Sequence, residues 1–303
     1  MKKIQVFIIS LKNSQRIHIL KKRLKDIGVN YKVFNGINGI NFYKKKKLHL
    51  IYSKRLTKKN IDRELSPSEV GAAASHLAIY KNIIQKNIDQ AIIMEDDAYP
   101  SELINKWIKN NTSVENNEIL SFYSYPSSGF LKKNSKRYIF KNKIKIYNSS
   151  THIFNNSCYQ INNYTCQRII KLTKSKVIGL PDWPFLINKH NIKLSVTIPY
   201  LTIIDDKNIS HLRDERANVL KNNKFIKKIL PEKIISLLRI PYYLTYLAFF
   251  FKFTNKEFYY EHYFQKQLFR LKNFFTREYL DVNKIYYEKK YYAYDLKKFI
   301  KNL

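Results

Sequence analysis

Ala91-Ile92-Ile93-Met94-Glu95-Asp96-Asp97 is an uncharged apolar run that ends in three consecutive carboxylates. A short continuous apolar run is typical of a strand buried on both faces, as in parallel sheets. Open α/β sheets bind ligands at the carboxyl ends of such strands. A buried carboxylate without a partner is costly or takes up a proton, so three acids need nearby cations, a metal or water. The stretch therefore indicates either a Mg²⁺ or Mn²⁺ site or a solvated acidic turn.

A capped helix precedes this strand. Ser66-Pro67-Ser68-Glu69 has the pattern of a capping box: Ser66 is the N-cap, Pro67 the first helical residue, and Glu69 lies three residues beyond the cap. The helix is predicted to run to about Lys86. Its apolar face includes Ala73, Leu77, Tyr80 and Ile84.

The surrounding segments alternate between strand and helix patterns. Residues 4–9 predict a strand, residues 15–27 a basic helix closed by a glycine, and residues 31–34 a second strand. Further along the chain the alternation continues less clearly, with a strand near 119–123, a helix near 164–172 and a strand near 193–198. This order predicts an α/β fold with a mostly parallel sheet.

Composition narrows the class of function. The 303 residues leave room for one large α/β domain with an appendage or for two small domains, and an apolar fraction of 45% allows a sizeable core. The chain has only six glycines and neither a P-loop nor a dinucleotide fingerprint. Cys158 and Cys166 form no zinc or disulfide pattern, which fits a reducing compartment. The net charge of +33 requires an anionic partner, unless it reflects a coding bias toward lysine.

The chain is predicted to divide near residue 220, into a catalytic domain (1–220) and a basic, aromatic-rich helical region (221–303). The second region carries 18 Lys and Arg against 7 Asp and Glu, a net charge of +11, and the last 64 residues hold 22 of the 45 aromatic residues. Such a segment suits an anionic membrane surface, but it could also stack nucleic-acid bases or pack on the first domain. Residues 43–64 are Lys-rich and unpatterned, and a mobile loop is expected there.

Three segments carry a more specific signal. They are Ile8-Ile9-Ser10-Leu11 with Ser14-Gln15-Arg16 and Phe34-Asn35-Gly36-Ile37-Asn38-Gly39, then Ser68-Glu69-Val70-Gly71-Ala72-Ala73-Ala74-Ser75-His76-Leu77, then Ile92-Ile93-Met94-Glu95-Asp96-Asp97-Ala98. In this order and spacing they resemble glycosyltransferase family 25, the lipooligosaccharide glycosyltransferases of Gram-negative bacteria. Ser68 stands where the family usually has Gly, and Ala72 where Cys is common. The resemblance is weaker over 150–216, where Thr151–Tyr159 and Pro181-Asp182-Trp183-Pro184 look like later blocks.

The resemblance implies a GT-A type, Rossmann-like fold with a mixed, mostly parallel sheet and flanking helices. It also implies a hexosyltransferase that uses a nucleotide sugar, with UDP-galactose as the expected donor and a lipooligosaccharide or surface polysaccharide as acceptor. The expected location is the inner face of the cytoplasmic membrane, with peripheral attachment. Negative charge develops on the leaving diphosphate during transfer, and a divalent metal, Mn²⁺ or Mg²⁺, held by strand-end carboxylates neutralises it.

Roles follow for the residues of the three segments. Asp97 is assigned as the direct metal ligand, while Asp96 and Glu95 are expected to touch the metal, a bound water or the nucleotide ribose. Ser75 and His76 are assigned to the donor site, the alternative for His76 being a core histidine with a satisfied hydrogen bond. Arg16 is expected to pair with a donor phosphate, the alternative being a solvated surface arginine.

Later residues complete the predicted site. Family 25 enzymes are taken to invert the anomeric centre, which requires a general base for the acceptor hydroxyl. Asp182 is the candidate base, Trp183 could stack on a sugar face, and Asp182 could equally be a helix N-cap. His211 and the Asp205-Asp206 pair are candidates for a further metal ligand.

Two other classes of protein stay open. Metal-dependent nucleotidyltransferases and phosphoesterases also use strand-end acids, and they would turn over nucleotide or phosphate independently of a UDP-sugar. A basic nucleic-acid-binding protein would depend on residues 221–303 and would not need the acids. Donor sugar, acceptor, linkage and oligomeric state have no readable pattern in the sequence.

Overall fold

The computed structural model describes residues 4–61, 63–123, 130–132, 137–139, 144–149, 156–179, 191–204 and 279–281. Its strands are β1 (Ile4–Ser10), β2 (Lys32–Asn35), β3 (Gln90–Glu95), β4 (Ala98–Pro100), β5 (Glu118–Ser121), β6 (Phe130–Lys132), β7 (Arg137–Ile139), β8 (Ile144–Asn148), β9 (Cys158–Asn162), β10 (Lys193–Ile198), β11 (Thr202–Ile204) and β12 (Tyr279–Asp281). Its helices are α1 (Ile17–Asp26), α2 (Gly39–Lys44), α3 (Leu48–Ile51), α4 (Lys54–Ile61), α5 (Pro67–Gln85), α6 (Leu103–Lys109) and α7 (Asn163–Thr173).

An eight-stranded sheet forms the centre of the molecule, in the order β2-β1-β3-β9-β5-β10-β8-β7. β1 pairs in parallel with β2 and β3, and β5 pairs in parallel with β10. β9 and β8 run antiparallel to their neighbours, so the other six strands point the same way. This confirms the predicted mixed, mostly parallel Rossmann-like sheet with flanking helices.

β3 lies inside the sheet because both of its faces are apolar. Ala91 and Ile93 enter one buried cluster, whereas Ile92 and Met94 enter the cluster on the opposite face. All four side chains are fully buried. The strand predicted from the apolar run is therefore confirmed, and the three acids follow at its carboxyl end.

α5 begins as the capping box predicts. The Ser66 hydroxyl accepts from the backbone N–H of Glu69, and the Glu69 carboxylate accepts from the backbone N–H of Ser66. Arg63 adds two further hydrogen bonds to the Glu69 carboxylate, at 2.8 and 2.7 Å. The start of α5 is thus fixed by local residues, which is why the sequence is sufficient to locate it.

The expectation of a mobile loop over residues 43–64 is wrong, because α2, α3 and α4 occupy most of this segment. α2 lies so close to α5 that a Cβ atom on Gly39 would stand 1.7 Å from the Pro67 carbonyl oxygen. At the other end, the Ser53 N–H donates to the Val177 carbonyl, and the Val177 N–H donates to the Ile51 carbonyl. These long-range contacts, rather than a local pattern, hold the short helices in place.

Three further predicted elements are confirmed, and the predicted division of the chain is not tested. The strand expected near 119–123 is β5, the helix near 164–172 is α7, and the strand at 193–198 is β10. The division at residue 220, with its helical region over 221–303, falls outside the described residues apart from 279–281 and stays a prediction. Within the part of the chain that the structure describes, no helix has the length and apolarity needed to cross a membrane.

Candidate functional site

The strand-end acids, Glu95, Asp96 and Asp97, lie beside the end of the first strand. Ile9 of β1 is paired with Glu95 of β3 in parallel register. Ser10 and the loop that leads to Arg16 therefore reach the same edge of the sheet as the acids. Sequence blocks about eighty residues apart are thus brought together by one parallel strand pair.

Asp96 has a donor on each of its carboxylate oxygens. The Ser10 hydroxyl donates to Oδ2 at 2.9 Å, and the Arg16 guanidinium pairs with Oδ1. A second guanidinium nitrogen of Arg16 lies 3.4 Å from an oxygen of Asp97. Arg16 is therefore not a free surface arginine, because it bridges two of the three acids. Its predicted pairing with a donor phosphate stays a prediction.

Asp97 differs from Asp96 because one of its oxygens is unsatisfied. Its Oδ1 atom is buried and has no hydrogen-bond partner among the described residues. Burial, followed by the charge of Glu95, raises the pKa of Asp97 to about 7 against the opposing effect of Arg16. A buried acceptor without a donor requires an explanation, and a bound cation is one that also removes the electrostatic cost.

A chain of buried hydrogen bonds, which we name the histidine relay (Tyr80, Tyr159 and His76), stands behind Glu95. The Tyr80 and Tyr159 hydroxyls are 2.7 Å apart, Tyr159 lies 2.7 Å from His76 Nδ1, and His76 Nε2 lies 3.0 Å from Glu95 Oε1. Burial raises the pKa of Tyr159 well above its ordinary value, so its hydroxyl keeps its proton. All three members of the relay are at most 2% exposed.

The direction of donation along the relay is set by the tautomer of His76, whose Nε2 atom lies near both the Glu95 carboxylate and, at 2.9 Å, the Asn156 amide nitrogen. In the tautomer protonated on Nε2, this nitrogen donates to an ionised Glu95, which can only accept. Nδ1 then accepts from the Tyr159 hydroxyl, and Tyr80 donates to Tyr159. The side-chain amide nitrogen of Asn156 lies 2.9 Å from the same Glu95 oxygen. Two donors thus fix Glu95 in place, and the relay fixes the ring of His76.

Ser75 connects α5 to the loop that follows β2. Its hydroxyl donates to the Gly71 carbonyl and accepts from the Ile37 N–H, both at 2.7 Å. A Cβ atom on Gly71 would lie 2.5 Å from Gly39 N and from the Ile37 carbonyl oxygen, so only glycine allows this approach. These contacts position the loop at the site edge; the predicted donor-site roles of Ser75 and His76 stay predictions.

Four residues of the site have no role in the sequence prediction: Ser10 as a partner of Asp96, Asn156 and Tyr159 as partners of His76, and Tyr80 behind Tyr159. Asn156 and Tyr159 lie within the Thr151–Tyr159 block that resembles the family, so a signal existed without a role attached. Tyr80 belongs to the predicted apolar face of α5. Their partners are distant in sequence, and only the fold reveals them.

The strand-end acids can hold a metal ion only if a bound substrate supplies further ligands. Among the described residues no group of three or more His, Cys, Asp or Glu side chains is arranged to hold a metal ion. The free Oδ1 of Asp97 supplies one hard oxygen, whereas the oxygens of Asp96 already have donors. This suits Mg²⁺ or Mn²⁺ bound through one or two carboxylates together with substrate phosphates.

The remaining predicted site residues cannot be placed. Asp182, Trp183, His211 and the Asp205-Asp206 pair lie outside the described residues. β11, which immediately precedes Asp205, pairs with β4, the strand that follows the acids. Their roles as base, stacking residue and metal ligand therefore stay predictions.

Comparison with known proteins gives one strong match and several distant ones. Residues 3–182 match the model of glycosyltransferase family 25 (LPS biosynthesis protein). No curated protein matches this chain. Among solved structures, A197 from STIV is 11% identical, with 70% of this chain and 98% of that chain covered, at a TM-score of 0.37.

Two further structures are equally distant. Mannose-1-phosphate geranyltransferase from Thermus thermophilus is 8% identical (65% of this chain, 73% of that chain, TM-score 0.34). The apo-form glycosyltransferase GlyE of Streptococcus pneumoniae TIGR4 is 13% identical (77% of this chain, 53% of that chain, TM-score 0.33). Similarities of this size do not bear on the site. The family match covers more than half of the chain and includes all three strand-end acids, and the chain belongs to glycosyltransferase family 25.

Proposed function

We propose that this glycosyltransferase transfers a hexose from a UDP-sugar, UDP-galactose being the first donor to test, onto a lipooligosaccharide or surface-polysaccharide acceptor, with inversion and with a divalent metal. Family membership supports glycosyl transfer in lipopolysaccharide biosynthesis. The observation that supports the metal is the buried, unpartnered Oδ1 atom of Asp97 beside two further carboxylates. Mn²⁺ or Mg²⁺ would supply charge neutralisation for the leaving diphosphate.

In this proposal each residue at the strand end has its own role. Asp97 binds the metal, with His211 as the candidate further ligand. Asp96 orients Arg16, whose guanidinium carries positive charge to the edge where a diphosphate would lie. Glu95 is held by His76 and Asn156, and its fixed charge adds to that of Asp97. The described geometry supports these positions for the strand-end acids and for Arg16.

Acceptor activation is assigned to a residue outside the described part of the chain. Inverting transfer needs a base that removes the proton of the acceptor hydroxyl as the glycosidic bond breaks. We propose Asp182 as this base and Trp183 as the residue that stacks on a sugar face. The acceptor is proposed to be a glycolipid at the inner face of the cytoplasmic membrane, which residues 221–303 would contact peripherally.

A donor panel tests the proposed function. The purified protein is incubated with UDP-sugars and Mn²⁺, with Mg²⁺, or with EDTA, and released UDP is measured. A parallel incubation with UTP and a hexose 1-phosphate is assayed for pyrophosphate. We expect UDP release from one UDP-hexose with Mn²⁺ and none with EDTA. Pyrophosphate release would instead identify a nucleotidyltransferase, and absence of turnover with every donor and metal would contradict the proposal.

A further inference from the structure

The segment of residues 39–61, which we name the basic platform, contains α2, α3 and α4 and has an unusual charge. It carries eight Lys and Arg residues and no Asp or Glu. All eight cationic side chains are exposed: Lys44, Lys45, Lys46, Lys47, Lys54, Arg55, Lys58 and Lys59. Lys54 pairs with Glu64 at 2.8 Å, and the other seven form no ion pair with a described residue. The platform is therefore a concentrated positive surface.

Exposed apolar side chains are interleaved with these charges. Tyr43 is 62% exposed, Leu50 is 54% exposed and Ile40 is 37% exposed. Tyr43 also lines a cavity of about 470 Å³ together with Leu48, two lysines and a histidine. Single exposed apolar side chains are common on protein surfaces, but here three of them share one short segment with eight exposed cations.

The inner side of the platform is firmly attached to the catalytic domain. Tyr52 and Ile61 enter a buried cluster with residues of α5 and with Val177. The Leu65 N–H donates to the Tyr52 hydroxyl at 3.1 Å, and the Asn60 side chain donates to the Ile178 carbonyl at 2.9 Å. A surface held in this way keeps its charges together, so a partner need not order it on binding.

The platform begins at the edge of the sheet where the site lies. The Gly36 N–H, three residues before α2, donates to the Ser10 carbonyl at 2.8 Å. The Ile37 N–H donates to Ser75 at 2.7 Å, and Ser10 itself holds Asp96. The start of the platform therefore lies close to the strand-end acids.

We propose that the basic platform docks the catalytic domain on an anionic phospholipid bilayer. Cations near such a surface are each attracted to its negative potential, and apolar tips such as Tyr43 and Leu50 gain by entering the boundary between headgroups and acyl chains. A nucleic acid or a soluble polyanion would use the charges but would leave the aliphatic tips in water. The combination of exposed cations and exposed apolar side chains in one segment favours the bilayer. This proposal extends the membrane location proposed above but does not depend on the transfer reaction.

The test measures vesicle binding of the full chain. Vesicles contain phosphatidylcholine with phosphatidylglycerol at about two to one, or phosphatidylcholine alone, and bound protein is separated by sedimentation. One variant replaces the four consecutive lysines: Lys44→Gln, Lys45→Gln, Lys46→Gln and Lys47→Gln. A second combines Tyr43→Ser with Leu50→Ser. We expect at least about tenfold weaker binding to anionic vesicles for the first and about threefold for the second, with little binding to phosphatidylcholine alone.

Matched controls separate the platform from general charge. The first control removes four exposed lysines elsewhere: Lys86→Gln, Lys106→Gln, Lys109→Gln and Lys171→Gln. The second combines Ile19→Ser with Tyr164→Ser, two side chains that are 46% and 50% exposed. Both controls should bind within about twofold of the wild type, since charge far from the bilayer is screened beyond a Debye length. Every variant retains residues 221–303, so any binding by that region is common to all.

Two results would overturn the proposal. One is equal weakening by the platform variant and by its lysine control, which would show attraction by net charge alone. The other is an unchanged affinity of the Tyr43 and Leu50 variant, which would identify a surface for soluble polyanions. UDP release without vesicles should be the same in all variants. Absence of UDP release from the wild type would count against the proposed function and would leave the vesicle result unchanged.

Discussion

Two clusters of carboxylates, each with one buried member, lie at opposite ends of parallel strands in the same sheet: the strand-end acids with Asp96, and the pair Glu115 and Glu118 with Glu118. The strand-end acids follow the carboxyl end of β3, whereas Glu118 opens β5, which runs parallel to β3 across the intervening β9. Each cluster contains an arginine, Arg16 in the first and Arg137 in the second. Both sets of acids therefore have a cationic partner, and the difference between them lies in the remaining acceptors.

Glu118 has a donor on each of its oxygens. Oε1 accepts from Arg137 and from the Ser195 hydroxyl, and Oε2 accepts from the Glu115 N–H. Among the strand-end acids, in contrast, the buried Oδ1 of Asp97 has no described donor, and the pKa of that carboxyl is raised to about 7. A buried acid whose partners are complete stabilises the fold, while one whose partners are incomplete is available to a ligand.

The largest expected effect is on transfer. Asp97→Asn should lower UDP release from the active donor by at least about 100-fold, because a group that stabilises charge in the transition state is lost. The fold should persist, since no described hydrogen bond depends on Asp97 Oδ1. Steady-state rates together with thermal unfolding check both points. Retained activity in a folded variant would remove Asp97 from the mechanism.

The matched change in the other cluster should have the opposite result. Glu118→Gln removes the buried carboxylate partner of the half-buried Arg137, which keeps its exposed partner Glu115, and should lower the free energy of unfolding by about 2 kcal/mol. Denaturant unfolding measures this cost. The turnover number of the folded variant should equal that of the wild type at saturating donor. A loss of turnover in folded Glu118→Gln would show that Glu118 also takes part in catalysis, contrary to this comparison.

A smaller effect is expected from the histidine relay. Tyr159→Phe removes the donor to His76 Nδ1 and should lower turnover by about tenfold, the usual scale for a residue that orients a ligand-binding side chain. Tyr80→Phe retains the contact between Tyr159 and His76 and is the matched control, with turnover within about threefold of wild type. Equal losses in both variants would indicate general loosening of the core.

The smallest effect concerns pH without divalent metal. The folded-state pKa of Asp97 is raised above its ordinary value of 3.8 to about 7, so the folded protein holds this proton more tightly than the unfolded chain does. Stability should therefore fall as pH rises from about 4 through 7, by about 1–2 kcal/mol given that the side chain is partly exposed. Unfolding in EDTA at pH 5 and pH 8 measures the fall. Asp97→Asn should lack it, and an identical fall in the variant would assign it to other groups.

Local sequence signals predicted the elements that local chemistry fixes. The capping box placed the start of α5, and the apolar run placed β3 and the acids. The sequence did not predict the helices over residues 43–64, because they are four to eight residues long and rich in lysine. Helices so short are marginal alone and depend on tertiary packing, here the contact between Gly39 and Pro67.

The site residues likewise fall into those that local motifs predict and those that only the fold brings together. Arg16, His76 and the strand-end acids belong to motifs, and the structure brings them to one edge of the sheet. Asn156 and Tyr159 act on His76 from about eighty residues away, so no spacing rule could have assigned them. The aromatic character of Tyr159 predicts only a core position, and its hydrogen bond to His76 appears when β9 pairs with β3.

The central claim is that Asp97 carries the metal-binding oxygen of the strand-end acids. Titration of free Mn²⁺ by electron paramagnetic resonance, in the presence of UDP, tests it without any sugar transfer. We predict one Mn²⁺ bound by the wild type, affinity in Glu118→Gln equal to wild type, and affinity in Asp97→Asn weaker by at least about tenfold. Equal Mn²⁺ affinity in the wild type and in Asp97→Asn would contradict the account.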